Sequence, residues 1–299
     1  LFWPESAKMG WPRANQENAM IWGALKRLGY QPGIIFDDDF DRGAFTNAAA
    51  LLLSRCFQMT PAQLDRVVNE AVPRGIHVHA NADLPGQYDA YHRFNPNWSA
   101  RMSQLFGLNL AGASEGLDSG VYDTAYHRLF VTGASALGTL PMGYSDNVLT
   151  WKIWHGVTAS SGTTVVTHTG DQGSRPAMPA LQIKTLGAAR TAVNTFALGD
   201  LRTQVEQAID HDWDVRYNWL HAIYRDHFGM TPSITLSGPG ASYVIPDYRR
   251  CANGSLLISL LNGHTNSASV TVNAPALLNG KTVENLTRGG VLQTNSNGT

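Results

Sequence analysis

Five small groups of residues carry types and spacings that could do chemistry. Gly112-Ala113-Ser114-Glu115-Gly116 matches Gly-x-Ser-x-Gly, the turn that lifts a nucleophilic serine between a strand and a helix. The flanks fit it poorly: Asn109-Leu110-Ala111 is a weak strand and Leu117-Asp118-Ser119-Gly120 a weak helix start, so a glycine-rich loop is the plainer reading. Cys56 follows an apolar run, where an acyl-transfer nucleophile would sit, but Arg55 and Phe57 flank it rather than glycines. Such a nucleophile also needs a paired base, and a buried structural thiol is the expectation.

His77 and His79 alternate along one predicted strand and so share a face. Two such histidines can hold Zn²⁺ if a third ligand joins them; His168 and Asp171 are the candidates. Otherwise they are polar groups at the carboxyl edge of a sheet. Asp37, Asp38 and Asp39 close a predicted short strand. Glycoside cleavage uses two carboxyls about 5–10 Å apart across one bond, and adjacent residues on one strand diverge, so a solvated turn is expected. Trp11, Trp98, Trp151 and Trp154 could stack on a sugar, although core packing is the commoner fate of tryptophan. None of the groups carries a full catalytic or metal signature, and no phosphate loop or dinucleotide fingerprint is present. The expected catalytic, metal and cofactor residues of this chain are therefore none.

The elements that must position these residues are read most clearly over residues 48–83. An apolar run at 48–53 reads as a buried strand. Thr60 and Gln63 form a capping box, with Pro61 in the first helical turn. Leu64, Val67, Val68, Ala71 and Val72 make one apolar stripe, and Pro73 and Gly75 stop the helix. Residues 76–80 form the next strand, and a crossover of this length suits a parallel pair. Upstream, residues 1–3 read as a first strand, 15–28 as a helix capped by Gly29, and 34–36 as a second strand. Residues 1–83 thus alternate strand and helix, the pattern of a parallel sheet covered on both faces.

Residues 99–106 read as a short helix and 117–154 as loops with short strands. Strands follow at 164–166, 181–183 and 192–196, then a helix over 214–228 with Trp213, Tyr217, Leu220 and Tyr224 on one face. Beyond Met230-Thr231-Pro232 the helical pattern stops. Residues 242–245, 256–261 and 268–272 are short β-branched strands between Asn and Gly turns, which predicts a small antiparallel sandwich. The domains expected are 1–229 and 230–299.

The length of 299 residues suits two domains, and a hydrophobic fraction of 43% allows a sizeable core. Lys plus Arg (22) balances Asp plus Glu (23), which gives no electrostatic reason to expect nucleic acid or an anionic membrane. No apolar run approaches the roughly 20 residues of a membrane span. The chain starts at Leu1 without a signal-peptide pattern, an expectation of processing or trimming. Cys56 and Cys251 are expected as separate thiols. The low charged fraction, 15%, leans to a secreted or periplasmic protein. Four glycosylation sequons, beginning at Asn97, Asn253, Asn285 and Asn297, have meaning in a eukaryotic secretory pathway.

In order along the chain, Pro4-Glu5-Ser6, Leu28-Gly29-Tyr30, the 60–75 unit, Leu105-Phe106-Gly107-Leu108, Arg175-Pro176-Ala177, residues 186–190 and residues 195–200 resemble the trimerisation domain of the β-galactosidases of glycoside hydrolase family 42. Residues 257–262 and 280–286 are similar to the small C-terminal β domain of those enzymes. Residues 117–160 depart from the pattern. The resemblance implies a flavodoxin-like fold akin to class I glutamine amidotransferases, followed by a β-sandwich. It also implies catalytic carboxylates on an upstream (β/α)8 barrel that this chain does not contain, a homo-oligomer with a trimer favoured, and a carbohydrate substrate for the whole enzyme. The rival readings are an independent amidotransferase-like or metal-dependent hydrolase, resting on Ser114, Cys56 and the His77/His79 pair, and a carbohydrate-binding sandwich presenting Tyr243 and Tyr248.

Overall fold

A computed structural model describes residues 1–3, 12–56, 58–81, 84–88, 93, 95–110, 127–131, 137, 148–150, 157–169, 178–196, 198, 202–203, 211–263, 268–279, 281–284 and 291–292. The chain divides into two compact units, Leu1–Ile21 with Gly33–Gly229 and Trp22–Pro32 with Met230–Thr299.

In the first unit, β1 (Ala50–Ser54) and β2 (His77–Asn81) run parallel, with Leu51 opposite Val78 and Leu53 opposite Ala80. The connection between them follows its sequence signals. Thr60 Oγ1 accepts from Gln63 N at 3.2 Å and Gln63 Oε1 accepts from Thr60 N at 3.0 Å, closing the capping box. The helix runs over 61–74, widens to a π turn at Val67–Ala71, and ends at Gly75 with φ 80°. Leu64, Val67, Val68 and Ala71 are buried, as the stripe requires. Gln63 Nε2 also donates to Asp37 Oδ1 and Asp41 Oδ1, and Arg66 donates to the carbonyls of Phe40 and Asp41, tying this helix to the short one at Asp37–Asp41.

Two single-residue bridges complete the parallel part. Phe2 lies between Leu53 and Ile35, parallel to both. On the other side β2 pairs in parallel with β9 (Ala189–Asn194). Counting the Phe2 and Ile35 segments as the first and second strands, the spatial order is 2-1-3-4-5. This is the flavodoxin-like arrangement, with a reversal of winding beside Phe2. The core packed on this part includes Phe2, Phe40, Leu53, Met59, Trp98 and Phe106.

The sheet then changes character. β9 pairs antiparallel with β8 (Met178–Leu186) across the tight Gly187-Ala188 turn, and β8 pairs antiparallel with β7 (Thr163–Thr169). Short strands β4 (His127–Val131), β5 (Val148–Thr150) and β10 (Arg202–Thr203) extend it in the order β7-β4-β5-β10. The expected strands at 164–166, 181–183 and 192–196 are all there, but the sheet is mixed rather than parallel throughout. Helix Trp98–Phe106 leads into β3 (Leu108–Leu110), which pairs with β6 (Val157–Ala159) outside the main sheet. The expected helix at 15–28 is Pro12–Arg27, and that at 214–228 runs from His211–His221 into a π turn at Ala222–His227.

The second unit holds antiparallel pairs: β11 (Thr235–Ser237) with β14 (Thr271–Asn273), β12 (Val244–Arg250) with β13 (Leu256–Asn262), and β15 (Val283–Glu284) with β16 (Val291–Leu292). Ile234, Ala274, Leu277 and Leu278 are its buried centre, with Leu236, Tyr248, Leu256 and Ile258 packed around them. Segment Trp22–Pro32 belongs to this unit. There Lys26 pairs with Asp247, and a Cβ on Gly29 would stand 1.6 Å from Ile234 O.

Two substitutions test these local arguments by urea denaturation. Gly107 closes helix Trp98–Phe106 at φ 69°, and a Cβ there would lie 1.7 Å from Ser161 O. Gly107→Ala is expected to cost more than about 2 kcal/mol, because both conformation and space forbid the methyl. Thr60→Ala removes half a capping box and is expected to cost about 1 kcal/mol.

Candidate polar site at the carboxyl edge of the sheet

Parallel strands buried on both faces end with backbone and side-chain polar groups that still need partners. Here three strands stop on one row: Ser54 is opposite Asn81, and Asn81 is opposite Asn194. The preceding row is apolar, Leu53, Ala80 and Val193. All three residues of the polar row are fully buried. Trp219 Nε1 donates to Asn194 Oδ1 at 2.8 Å. Asn194 Nδ2 then donates to Asn81 Oδ1 (3.2 Å) and approaches His79 Nε2 (3.0 Å). Asn81 Nδ2 donates to Glu17 Oε1 (2.8 Å) and to Ser54 Oγ (3.2 Å), while Leu198 N donates to Asn81 Oδ1 (3.3 Å).

The network fixes the histidine tautomer. An indole N–H only donates, so Asn194 Oδ1 must accept, and its amide nitrogen is the donor facing His79. His79 Nε2 is therefore the bare nitrogen. The proton sits on Nδ1, 3.3 Å from the Tyr224 hydroxyl that receives it. Burial without a counter-charge pushes His79 down to about 3, so the ring is neutral across the physiological range.

The two strand histidines share a face, as expected, but do not form a metal pair. His77 Nδ1 accepts from Arg190 N at 3.0 Å and its ring stacks on Phe228 at 4.9 Å; both nitrogens of His79 are engaged within the network. Among the described residues no group of three or more His, Cys, Asp or Glu is placed to hold a metal. Asp171 lies outside them, and His168 is a member of β7.

Cys56 is fully buried, with Sγ 3.4 Å from Ser54 O and 3.8 Å from Phe2 O. Arg55, just before it, has φ 56°, so the chain does turn sharply after β1. The thiol is directed into these backbone carbonyls. Ser114, Trp11, Trp151 and Trp154 lie outside the described residues. Trp98 is core, its indole bonded to Pro85 O.

Asp37–Asp39 do not end a strand: only Ile35 pairs, Phe36 caps a helix, and the three aspartates form its first turn, which is where carboxylates suit the helix dipole. Tyr243 is exposed, whereas Tyr248 packs on the small core of the second unit. Sequence reasoning passed over Ser54, Asn81, Asn194 and Glu17. The available signal was the single polar residue that ends each apolar strand, in Leu-Leu-Leu-Ser, His-Ala-Asn and Ala-Val-Asn.

The first unit is thus a flavodoxin-like α/β structure with an antiparallel extension, and the second a set of small antiparallel sheets. Parts of several solved structures share this fold. They include two of Gan42B, a family 42 β-galactosidase from G. stearothermophilus, one of them a catalytic mutant, with TM-scores of 0.64 and identities of 12% and 11%. They cover 94% and 95% of this chain but 34% of the enzyme. A β-galactosidase from Bacillus circulans sp. alkalophilus matches with a TM-score of 0.62 and 10% identity, over 93% of this chain and 35% of that one. The chain therefore spans about a third of the proteins it resembles. No protein-family model matches the sequence, and no curated protein matches it.

The depressed His79 pKa sets an acid limit on stability. The unfolded chain binds this proton below about pH 6.5 and the folded chain does not until about pH 3. The stabilisation is complete above pH 6.5 and is lost as pH falls towards 3, at up to about 1.4 kcal/mol per pH unit. Desolvation lowers His77, His221 and His227 in the same direction. Denaturation midpoints from pH 7 to pH 4 should fall steadily, and His79→Gln should flatten the slope by about one proton. An unchanged slope would place the titration elsewhere.

Proposed function

We propose that this chain is the non-catalytic oligomerisation and accessory portion of a β-galactosidase-like glycoside hydrolase. Extent of match carries the reading: over nine-tenths of the chain follows only about a third of each solved β-galactosidase. By the family resemblance, the catalytic barrel is a separate upstream part, and the whole enzyme acts on carbohydrate.

The chemistry of the described residues supports the same reading. Glycoside cleavage needs an acid and a nucleophile or base fixed across one bond, and acyl transfer needs a nucleophile, a base and an oxyanion site in contact. Cys56 faces carbonyls, His77 and His79 are engaged by the fold, and Asp37–Asp39 sit in one helix turn. At the carboxyl edge, where doubly wound sheets place their ligands, the Ser54–Asn81–Asn194 row is fully buried by the chain's own groups. No described helix is long and apolar enough to cross a membrane. The partners are other copies of the chain, a trimer first, and the upstream barrel.

Two measurements test this. The 299 residues alone should not turn over aryl-galactosides or other aryl-glycosides, while a longer polypeptide carrying the barrel should. Robust hydrolysis by the 299 residues, abolished by Ser114→Ala or Cys56→Ala, would overturn the proposal in favour of an independent hydrolase. Light scattering should give three times the 32.5 kDa chain mass; a monomer at every concentration would remove the oligomerisation role.

A further inference from the structure

The turn between β12 and β13 holds a sequon in a geometry that the other described sequon lacks. Arg250 and Leu256 are the last paired residues. Gly254 N donates to Cys251 O at 2.9 Å, and Cys251 N donates to Ser255 O at 2.8 Å. With Gly254 at φ 82° this is a three-residue hairpin loop, closed by a glycine bulge. Asn253 thus occupies the turn and Ser255 the start of the returning strand. Ser255 Oγ donates to Asn253 Oδ1 at 2.7 Å, and Ser255 N donates to the same oxygen at 3.0 Å.

Four points bear on the Asn253 amide. Both donors polarise its carbonyl, drawing density from the nitrogen that would be glycosylated and making its N–H protons easier to remove. No hydrogen bond ties Nδ2 down among the described residues. Residues 251–255 are all exposed, and a Cβ on Gly254 would meet nothing within 4 Å, so the tip has room for a bulky substituent. Gly254 N, the atom that would close a succinimide on Asn253 and release ammonia, is held by Cys251 O, which disfavours spontaneous deamidation.

At Asn97 the arrangement is different. Trp98, the middle residue, is fully buried with its indole bonded to Pro85 O, and Ser99 lies in the first turn of a helix. Asn97 O is held by Arg101 N. Among the described residues no side-chain bond joins Ser99 to Asn97. That tripeptide can be drawn out only by unpacking a core tryptophan.

We propose that Asn253 is an N-glycan acceptor when the chain passes through a eukaryotic secretory compartment, and that Asn97 is not. The co-substrate is a lipid-pyrophosphate-linked oligosaccharide, supplied with its transferase by that compartment. A bond forms between Asn253 Nδ2 and the sugar C1 as the C1–oxygen bond to the pyrophosphate breaks. The lipid pyrophosphate leaves with the electron pair, and the Nδ2 proton passes to a base of the transferase. The inference stands apart from the assembly reading.

The test is expression of the 299 residues behind a secretion signal in a eukaryotic host. Peptides from the secreted and cell-retained fractions are mapped after enzymatic glycan release in ¹⁸O water, which marks a formerly glycosylated asparagine and separates it from a deamidated one. The expected result is ¹⁸O-labelled aspartate at position 253 and an unmodified Asn97. N253Q and S255A should each lose the mass of one glycan, while S255T should keep it. If N253Q is not secreted, the serine pair reads the same site in the cell-retained fraction. An intact amide at 253 in both fractions, a glycan mass unmoved by N253Q, or occupancy at Asn97 would overturn the proposal.

Discussion

The first unit depends on how Asn194 is satisfied. Its carbonyl accepts from Trp219, and its amide reaches both Asn81 and His79. One side chain therefore links the end of β9 to β2 and to helix His211–His221 at once. Through Asn81 the chain of bonds continues to Glu17 and Ser54. A buried polar group left without a partner costs roughly 1–3 kcal/mol, so the row is stable only when complete. That requirement holds the register of the parallel strands, since a shift of one residue would place Leu53 or Val193 opposite Asn81.

Parts of this arrangement that rest on short-range chemistry were legible in the sequence. Thr60 with Gln63, Pro61 at the first turn and Gly75 at the stop are local signals, and the structure answers each one. The parallel pairing of β1 and β2 followed from the length of the connection between them. The antiparallel half was less legible because strand direction is set by turns. Gly187-Ala188 between β8 and β9 is a two-residue reversal, and a hydrophobic pattern alone does not carry direction. The Ile34-Ile35-Phe36 stretch misled in another way. Its apolar residues suggested a strand, but the chain pairs at Ile35 only, and three aspartates are better placed at a helix start.

Candidate chemistry was legible only as residue type. His77 and His79 do share a strand face, yet alternation says nothing about what faces them. Tyr224 and Phe228 come from a helix more than 140 residues later and determine both environments. Ser54, Asn81 and Asn194 went unnoticed for the same reason. Each is an ordinary polar residue at the end of its own strand, and they become a set only when three strands end in register.

The second unit shows how little apolar area a small β layer can gather by itself. Among the described residues its core cluster centres on Ile234, Ala274, Leu277 and Leu278, and Leu257, Leu260 and Leu261 on β13 remain 41%, 43% and 64% exposed. Small domains bury a lower fraction of their surface and often need an added constraint. Here that constraint comes from residues about 200 positions earlier. Gly29 accepts Ser233 N and leaves no space for a side chain beside Ile234 O, while Lys26 neutralises Asp247 on β12. The helix end that ordinary sequence order assigns to the α/β part is thus an integral wall of the β unit. The backbone can approach that closely only because the residue ending the helix is a glycine, which also supplies the left-handed turn.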